Sequence, residues 1–361
     1  MEKKFIHGGN VYAPKKQGTW LDFSANINPL GLPESVRKTI MAHIQDIVHY
    51  PDPNGTALKE ALCRHYHVKA EQLVLGNGAA EILYMYFHAY RGQRLILPVP
   101  SFSEYERAAR AGKSHVSYTF MSEETQFTMP WMALFERLED ADIVILGNPN
   151  NPTGTLFTVA EALPFIQAAK KAGTTVIVDE SFLDFLDDTP YSLIPYVKDY
   201  DNLIVLRSLT KCFALPGLRL GFAVMDEAKA CLLKEQTDCW NVNVLAQQAG
   251  ITALGDGEFL LKTKNFILNE KQWLTAALRG LPDMYVFSPA VNFILLRLGM
   301  TWGISGDVCV GLRRQGILVR NCQYYPGLNE RYIRVAVRTR DENEALIRGL
   351  QQYYKTRKDA I

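Results

Sequence analysis

The 361-residue sequence has almost no net charge: 39 Lys and Arg stand against 38 Asp and Glu, a formal +1. A chain so balanced offers no global field for nucleic acid or an anionic membrane surface. Cysteine is scarce. The six residues, Cys63, Cys212, Cys231, Cys239, Cys309 and Cys322, are scattered, and no two form a Cys-x-x-Cys pair. That spacing argues against zinc and redox motifs, and the length argues against a disulfide framework, so reduced thiols in the cytosol are expected. No apolar run is long enough to span a bilayer, and residues 1–10 contain no apolar signal core. Repeats and low-complexity tracts are absent as well. His65-Tyr66-His67 has no further ligand cluster, so no metal site is expected. The sequence reads as a soluble, cytoplasmic chain.

What it does have is apolar residues in short, punctuated runs. They make up 48% of the chain, enough for one large domain with a smaller one. Residues 1–33 are irregular and rich in Gly, Pro and Asn, as in a wrapping arm. Helical periods are expected at 34–47 and 55–67, separated by the turn Pro51-Asp52-Pro53-Asn54-Gly55. Strands are expected at 72–75, 94–97, 115–120, 142–146, 174–179, 203–207 and 220–225. They alternate with helical periods at 79–90, 103–111, 159–173 and 226–236. Runs such as Thr174-Thr175-Val176-Ile177-Val178-Asp179 are apolar on both strand faces. That predicts an α/β fold with a mainly parallel sheet between two helical layers. A long helix at 257–281 leads to an α+β unit with strands at 284–288, 292–297 and 332–338 and helices at 306–315 and 341–356. The expected division is an arm at 1–33, a small-domain segment at 34–67 packing with the C-terminal unit, a large domain at 68–280 and a small domain at 281–361.

Ligands of such sheets bind beyond the carboxyl ends of the strands. Three groups of polar residues fall there: Asn148-Pro149-Asn150-Asn151-Pro152-Thr153-Gly154, Asp179, and Ser208-Leu209-Thr210-Lys211 followed by Arg219. Each alone has a plain reading as a turn, a cap or a solvated charge. Together they are what pyridoxal phosphate needs: a lysine amine for a Schiff base, a carboxylate for the pyridinium nitrogen, hydroxyls and a guanidinium for the phosphate. A lysine desolvated beside Arg219 would lose its proton more readily and become nucleophilic. Gly76-Asn77-Gly78-Ala79-Ala80-Glu81 runs from a strand into a helix, so backbone N–H groups there can face an anion. The dinucleotide fingerprint is incomplete, and no acidic residue follows at the ribose position, which disfavours a Rossmann-type module. Phe102 is either core or a ring stacked on the cofactor, and Asn151 either shapes its turn or bonds the cofactor's phenolate oxygen.

The ordered set of 148–154, Asp179-Glu180, 208–211 and Arg219 resembles the fold-type I, aspartate aminotransferase-like pyridoxal-phosphate enzymes over nearly the whole chain. Within them the sequence is similar to the histidinol-phosphate aminotransferase branch, and in particular resembles the L-threonine-O-3-phosphate decarboxylases of cobalamin biosynthesis. The residues that carry this are His7-Gly8-Gly9-Asn10, positions 21–31, Tyr50-Pro51-Asp52, Arg207 with 208–211, Tyr325-Pro326-Gly327 and Tyr332-Ile333-Arg334-Val335-Ala336. The resemblance implies Lys211 as the Schiff-base lysine, Asp179 on the pyridinium, Asn151 on the phenolate and Phe102 stacked on the ring. It implies a cofactor phosphate held at Gly78, Ala79, Ala80, Ser208, Thr210 and Arg219. It implies a homodimer in which Tyr50 reaches the neighbouring active site. His7, Gly8, Asn26, Asn151, Arg320 and Arg334 would bind a small phosphorylated amino acid.

The implied reaction is decarboxylation of O-phospho-L-threonine to (R)-1-amino-2-propanol O-phosphate. Histidinol-phosphate transamination with 2-oxoglutarate and O-phosphoserine decarboxylation are the alternatives. Phe182 stands where many aminotransferases carry a tyrosine, which leans toward the decarboxylases. Residue types alone do not choose between the outcomes, because the choice depends on how the substrate carboxylate is turned. A cofactor-binding regulator would need an effector or DNA-binding module, and the sequence has no spare segment or basic region for one.

Overall fold

The computed structural model describes residues 7–12 and 19–359; residues 1–6 and 13–18 of the expected arm, and 360–361, lie outside them. Chain order runs β1 (Leu21–Asp22), α1 (Glu34–His43), α2 (Thr56–Tyr66), β2 (Leu73–Gly76), α3 (Ala79–Ala89), β3 (Arg94–Val99), α4 (Ser103–Ala111), β4 (His115–Phe120), α5 (Trp131–Phe135), β5 (Ile143–Gly147), α6 (Val159–Ala172) and β6 (Thr175–Asp179). It continues with β7 (Leu203–Ser208), β8 (Gly221–Val224), α7 (Glu227–Lys234), α8 (Val244–Gly255), α9 (Gly257–Arg279), β9 (Met284–Val286), β10 (Phe293–Leu298), α10 (Ser305–Arg314), β11 (Ile317–Leu318), β12 (Arg320–Asn321), β13 (Tyr332–Ala336) and α11 (Arg340–Lys358).

The central sheet has the order β2-β8-β7-β6-β5-β3-β4, and β8 alone runs antiparallel to its neighbours. Its strands are apolar on both faces because both faces are covered. Val144, Leu146, Val176, Val178 and Val205 point into one core, shared with α6 and α8. Ile143, Ile145, Ile177, Ile204 and Leu206 point into the other, shared with α3, α4 and α7. The capping signals are local. Thr158 accepts from the Glu161 N–H while Glu161 reaches back to the Thr158 N–H, starting α6, and Gly173 at φ +75° ends it.

The second unit is an antiparallel sheet, β12-β13-β10-β9, with α10 and α11. Part of the expected arm belongs to it: β1 pairs in parallel with β11, and the Ala336 N–H donates to Phe23 O at 2.8 Å. Helices α1 and α2, expected to pack with this C-terminal unit, lie instead on α8. The reason is steric. α8 presents small residues, Ala246, Ala249, Gly250 and Ala253, and Leu58 of α2 closes onto Gly250 so tightly that a Cβ there would meet its Cδ1 at 2.9 Å. No helix among the described residues is long and apolar enough to cross a membrane.

The feature that positions chemistry is the alignment of β5, β6 and β7. Gly147 pairs with Asp179 and Asp179 with Leu206, so the three strands end side by side. The strand ends and the loops leaving them put Asn151, Asp179, Ser208 and Lys211 at one edge of the sheet.

Candidate active site

A cavity of about 470 Å³ opens at that edge. It is lined by Gly78, Ala79, Ala80, Phe102, Asn151, Asp179, Ser208, Thr210, Lys211 and Arg219 from the central unit. His7, Gly8, Asn26, Arg320 and Arg334 close it from the arm and the second unit. Tyr50 is the one residue of the expected set that lies elsewhere. Its ring is exposed and stacks on Trp240 at 4.1 Å between centroids.

Asp179 is held by three donors. Its Oδ2 accepts from Tyr105 Oη at 2.7 Å, and its Oδ1 accepts from the Ser181 N–H at 2.9 Å and from Ser181 Oγ. Burial, then the Asp179 charge, pushes the Tyr105 phenol far above its ordinary range, so it stays a donor. Desolvation, then the charges of Arg219 and Arg334, pulls the Lys211 ammonium down from 10.5 to about 8, against the attraction of Asp179. The backbone around Lys211 is pinned by the buried Asn28, whose N–H donates to Lys211 O at 3.1 Å and whose Nδ2 donates to Cys212 O at 2.6 Å. The phenyl ring of Phe182 lies 5.9 Å from Lys211 Nζ. On the far side of the same strand ends, Glu180 and Arg207 form a fully buried pair at 3.0 Å that fixes the frame.

Helix α3 starts at Ala79, immediately after Gly78 at φ +84°. The positive φ favours glycine at 78, and a Cβ there would fall 2.6 Å from Arg219 Nη2 and displace the guanidinium from over the helix start. Arg219 Nη2 donates to Asn77 O at 3.0 Å, and Ser208 Oγ lies 2.7 Å from Thr210 Oγ1. The N-terminus of an 11-residue helix, two hydroxyls and one guanidinium thus surround one space, a donor set suited to a phosphate. With Asp179 and Lys211 alongside, the residues present fit pyridoxal phosphate.

Arg320 and Arg334 are 7% and 5% exposed, and neither has a carboxylate partner among the described residues. Arg334 Nη2 donates to Ser24 O at 2.7 Å, Nη1 to Asn151 Oδ1, and Nε has no partner. With Oδ1 of Asn151 engaged, its Nδ2 is the donor that remains for a phenolate oxygen. Burial is the main force lowering the Arg334 pKa. Arg320 stacks on Tyr325 at 5.3 Å from the ring centroid. A buried guanidinium without a counter-ion is costly, and an anionic ligand offsets that cost. Two such groups in one cavity suit a doubly anionic ligand.

Tyr105, Ser181, Asn28 and Glu104 are not legible as site residues in the sequence. Asn28 lies two residues after Asn26, and Ser181 two after Asp179. Tyr105 and Glu104 are ordinary helix residues in sequence and gain meaning only from what faces them.

Residues 18–350 match the family model for aminotransferase class I and II. The threonine-phosphate decarboxylase of Salmonella typhimurium is 36% identical over 355 residues, 96% of this chain and 95% of that protein. Histidinol-phosphate aminotransferase 1 of Cupriavidus pinatubonensis is 36% identical over 335 residues, 92% of this chain and 88% of that one. Among solved structures, the histidinol-phosphate aminotransferase from Clostridium acetobutylicum superposes with a TM-score of 0.87 at 30% identity. It covers 92% of this chain and 99% of its own.

Proposed function

The chain belongs to the aminotransferase class I and II family, and on that premise we propose that it is a pyridoxal-phosphate-dependent carboxy-lyase. Its substrate is O-phospho-L-threonine, and its products are (R)-1-amino-2-propanol O-phosphate and CO2, as in cobalamin biosynthesis. The observation that carries this reading is the pair of buried guanidiniums, Arg320 and Arg334, facing the same cavity as Lys211 without a carboxylate of their own. A substrate with both a carboxylate and a phosphate matches two such cations. The near-complete coverage of the Salmonella decarboxylase supports it.

Bound pyridoxal phosphate supplies an electron-withdrawing ring that accepts the electron pair of a bond broken at the substrate α-carbon. The protein's share is to hold and orient. Lys211 would anchor the cofactor covalently, Asp179 would meet its ring nitrogen, and Ser208, Thr210, Arg219 and the N–H groups of Ala79 and Ala80 would take its phosphate. Arg334 and Arg320 then fix the substrate's carboxylate and phosphate, and the angle at which the carboxylate is held selects the bond that breaks. Lys211 Nζ, facing the same cavity, would be the group placed to hold a proton for the substrate α-carbon.

Histidinol-phosphate transamination is the second reading, favoured by the Cupriavidus enzyme, which has the same 36% identity over a shorter match. Two arginines also suit the two carboxylates of 2-oxoglutarate. The test offers holoenzyme O-phospho-L-threonine alone, or histidinol phosphate with 2-oxoglutarate. Consumption of the first alone is expected; consumption of the second alone would transfer the proposal to the aminotransferase.

The neutral fraction of Lys211 rises with pH through about 8. Cofactor-free protein should therefore capture added pyridoxal phosphate faster as pH rises from 7 to 9, levelling above the midpoint. Stopped-flow absorbance checks this, and a rate independent of pH would contradict it.

A homodimer with Tyr50 entering the neighbouring cavity is part of the proposal. Supporting it, Met41, Ile47, Val48 and Tyr50 form a run of exposed apolar side chains on and after α1. A monomeric holoprotein in sedimentation equilibrium would exclude it.

A further inference from the structure

Among the described residues, two carboxylates line the cavity. Asp179 has a role there; Glu104 has none so far. A carboxylate in a pocket for a doubly anionic ligand repels that ligand. Plain packing would be served as well by an apolar side chain of the same size, so Glu104 calls for a reason of its own.

Its contacts supply one. Glu104 lies in the first turn of α4, where the helix dipole favours a negative charge. Its side chain is 11% exposed. Oε1 accepts from His7 Nε2 at 2.8 Å and from Arg107 Nη1 at 3.4 Å, and Oε2 accepts from Tyr84 Oη at 3.1 Å. Burial pushes its pKa up, but the bonds from His7 and Tyr84 and the Arg107 charge outweigh this and hold it below the usual range. His7 comes from the arm, and Glu104 is its hydrogen-bond partner among the described residues.

The arm has a second post on the other wall. The Gly9 N–H donates to Ser24 Oγ at 2.8 Å, and Gly8 lies so close to Ser24 O that a Cβ would collide with it. Ser24 O also accepts from Arg334 Nη2. Ser24 follows β1, which pairs with the second unit, whereas Glu104 stands on a helix of the central sheet. The arm therefore bridges the two walls of the cavity, and Glu104 is its hold on the central one.

We propose that Glu104 is a positioning residue: its carboxylate docks His7, and with it the arm, across the cavity, so that the imidazole stands ready for the substrate's second anion. Because Glu104 accepts from Nε2, it fixes the proton on that nitrogen and sets the ring's orientation. It also faces the Arg107 guanidinium, so its own charge does not face the substrate unopposed. The proposal rests on the reading of the substrate as a phosphorylated amino acid, and its test separates the two.

The test uses holoenzyme in four forms: wild type, Glu104→Gln, His7→Ala and the double variant. Unchanged visible cofactor absorbance certifies that each is folded and loaded. Amide hydrogen exchange over residues 8–12 reports docking independently of turnover. Glu104→Gln is expected to speed that exchange several-fold. It should raise KM for O-phospho-L-threonine about tenfold while kcat falls less than about threefold, as the loss of one charge-assisted bond predicts. In the His7→Ala background, Glu104→Gln should change KM less than about twofold, because the partner is already gone. Unchanged arm exchange in Glu104→Gln overturns the proposal, as does a KM effect that keeps its full size without His7. If wild-type enzyme ignores O-phospho-L-threonine but the arm loosens in Glu104→Gln, the docking stands and the substrate reading alone is lost.

Discussion

Lys211→Ala is expected to abolish the visible absorbance of the holoenzyme and to lower turnover by on the order of 10³-fold or more. Both effects come from one atom. The ε-amine is the group proposed to join the cofactor covalently, and its pKa of about 8 lets it exist as a free amine near neutral pH. The depression has a visible cause in the cavity: desolvation first, then Arg219 and Arg334. Arginine in its place keeps a charge but cannot condense with an aldehyde, so Lys211→Arg should be as inactive as Lys211→Ala. The phosphate cradle of Ser208, Thr210, Arg219 and α3 is untouched by either change, so the cofactor should still bind, noncovalently. Spectroscopy of the dialysed variants checks this. A visible band that survives Lys211→Ala would place the covalent link on another lysine.

Arg334→Ala carries the second largest effect. The guanidinium is buried, engaged by Ser24 O and Asn151 Oδ1, and still has Nε without a partner. Its removal leaves two acceptors without a donor and, on the proposed reading, the substrate anion without its counter-charge. Losing one member of such a buried, charge-assisted arrangement costs about 3–4 kcal/mol, or roughly 10²–10³-fold in kcat/KM. Arg334→Lys should recover only part of that, since a single ammonium cannot hold a carboxylate with two parallel bonds. The cofactor spectrum should persist in both variants, because Arg334 is not part of the phosphate cradle. Steady-state kinetics on loaded enzyme give the answer. A change in kcat/KM under about threefold for Arg334→Ala would remove it from the anion site.

The sequence carried the central sheet and the residues at its edge for a physical reason. Strands buried on both faces are largely apolar, so Asp179 and Arg207-Ser208 stand out as polar breaks where β6 and β7 end. The glycines before α3 were equally readable, because a strand running into a helix leaves few ways to turn. Other features depend on partners remote in the chain. Tyr105 and Asp179 are 74 positions apart, and nothing in the first turn of α4 announces that its phenol will meet a carboxylate. Glu104 and His7 are separated by 97. The packing of α1 and α2 on α8 is hidden for a similar reason. An amphipathic helix shows that it has an apolar face without showing which surface covers it, and the small-residue face of α8 is diffuse in sequence. The arm was only half legible: β1 is two residues long, and its pairing with β11 has no periodicity to betray it.

The central claim is the reaction type, and carboxyl-labelled O-phospho-L-threonine tests it most directly. The holoenzyme is supplied with that substrate and no keto acid, and labelled CO2 is measured against (R)-1-amino-2-propanol O-phosphate. The account predicts sustained release in a one-to-one ratio over many turnovers. No labelled CO2, with the amino group instead lost in a single turnover, would contradict it and identify an aminotransferase.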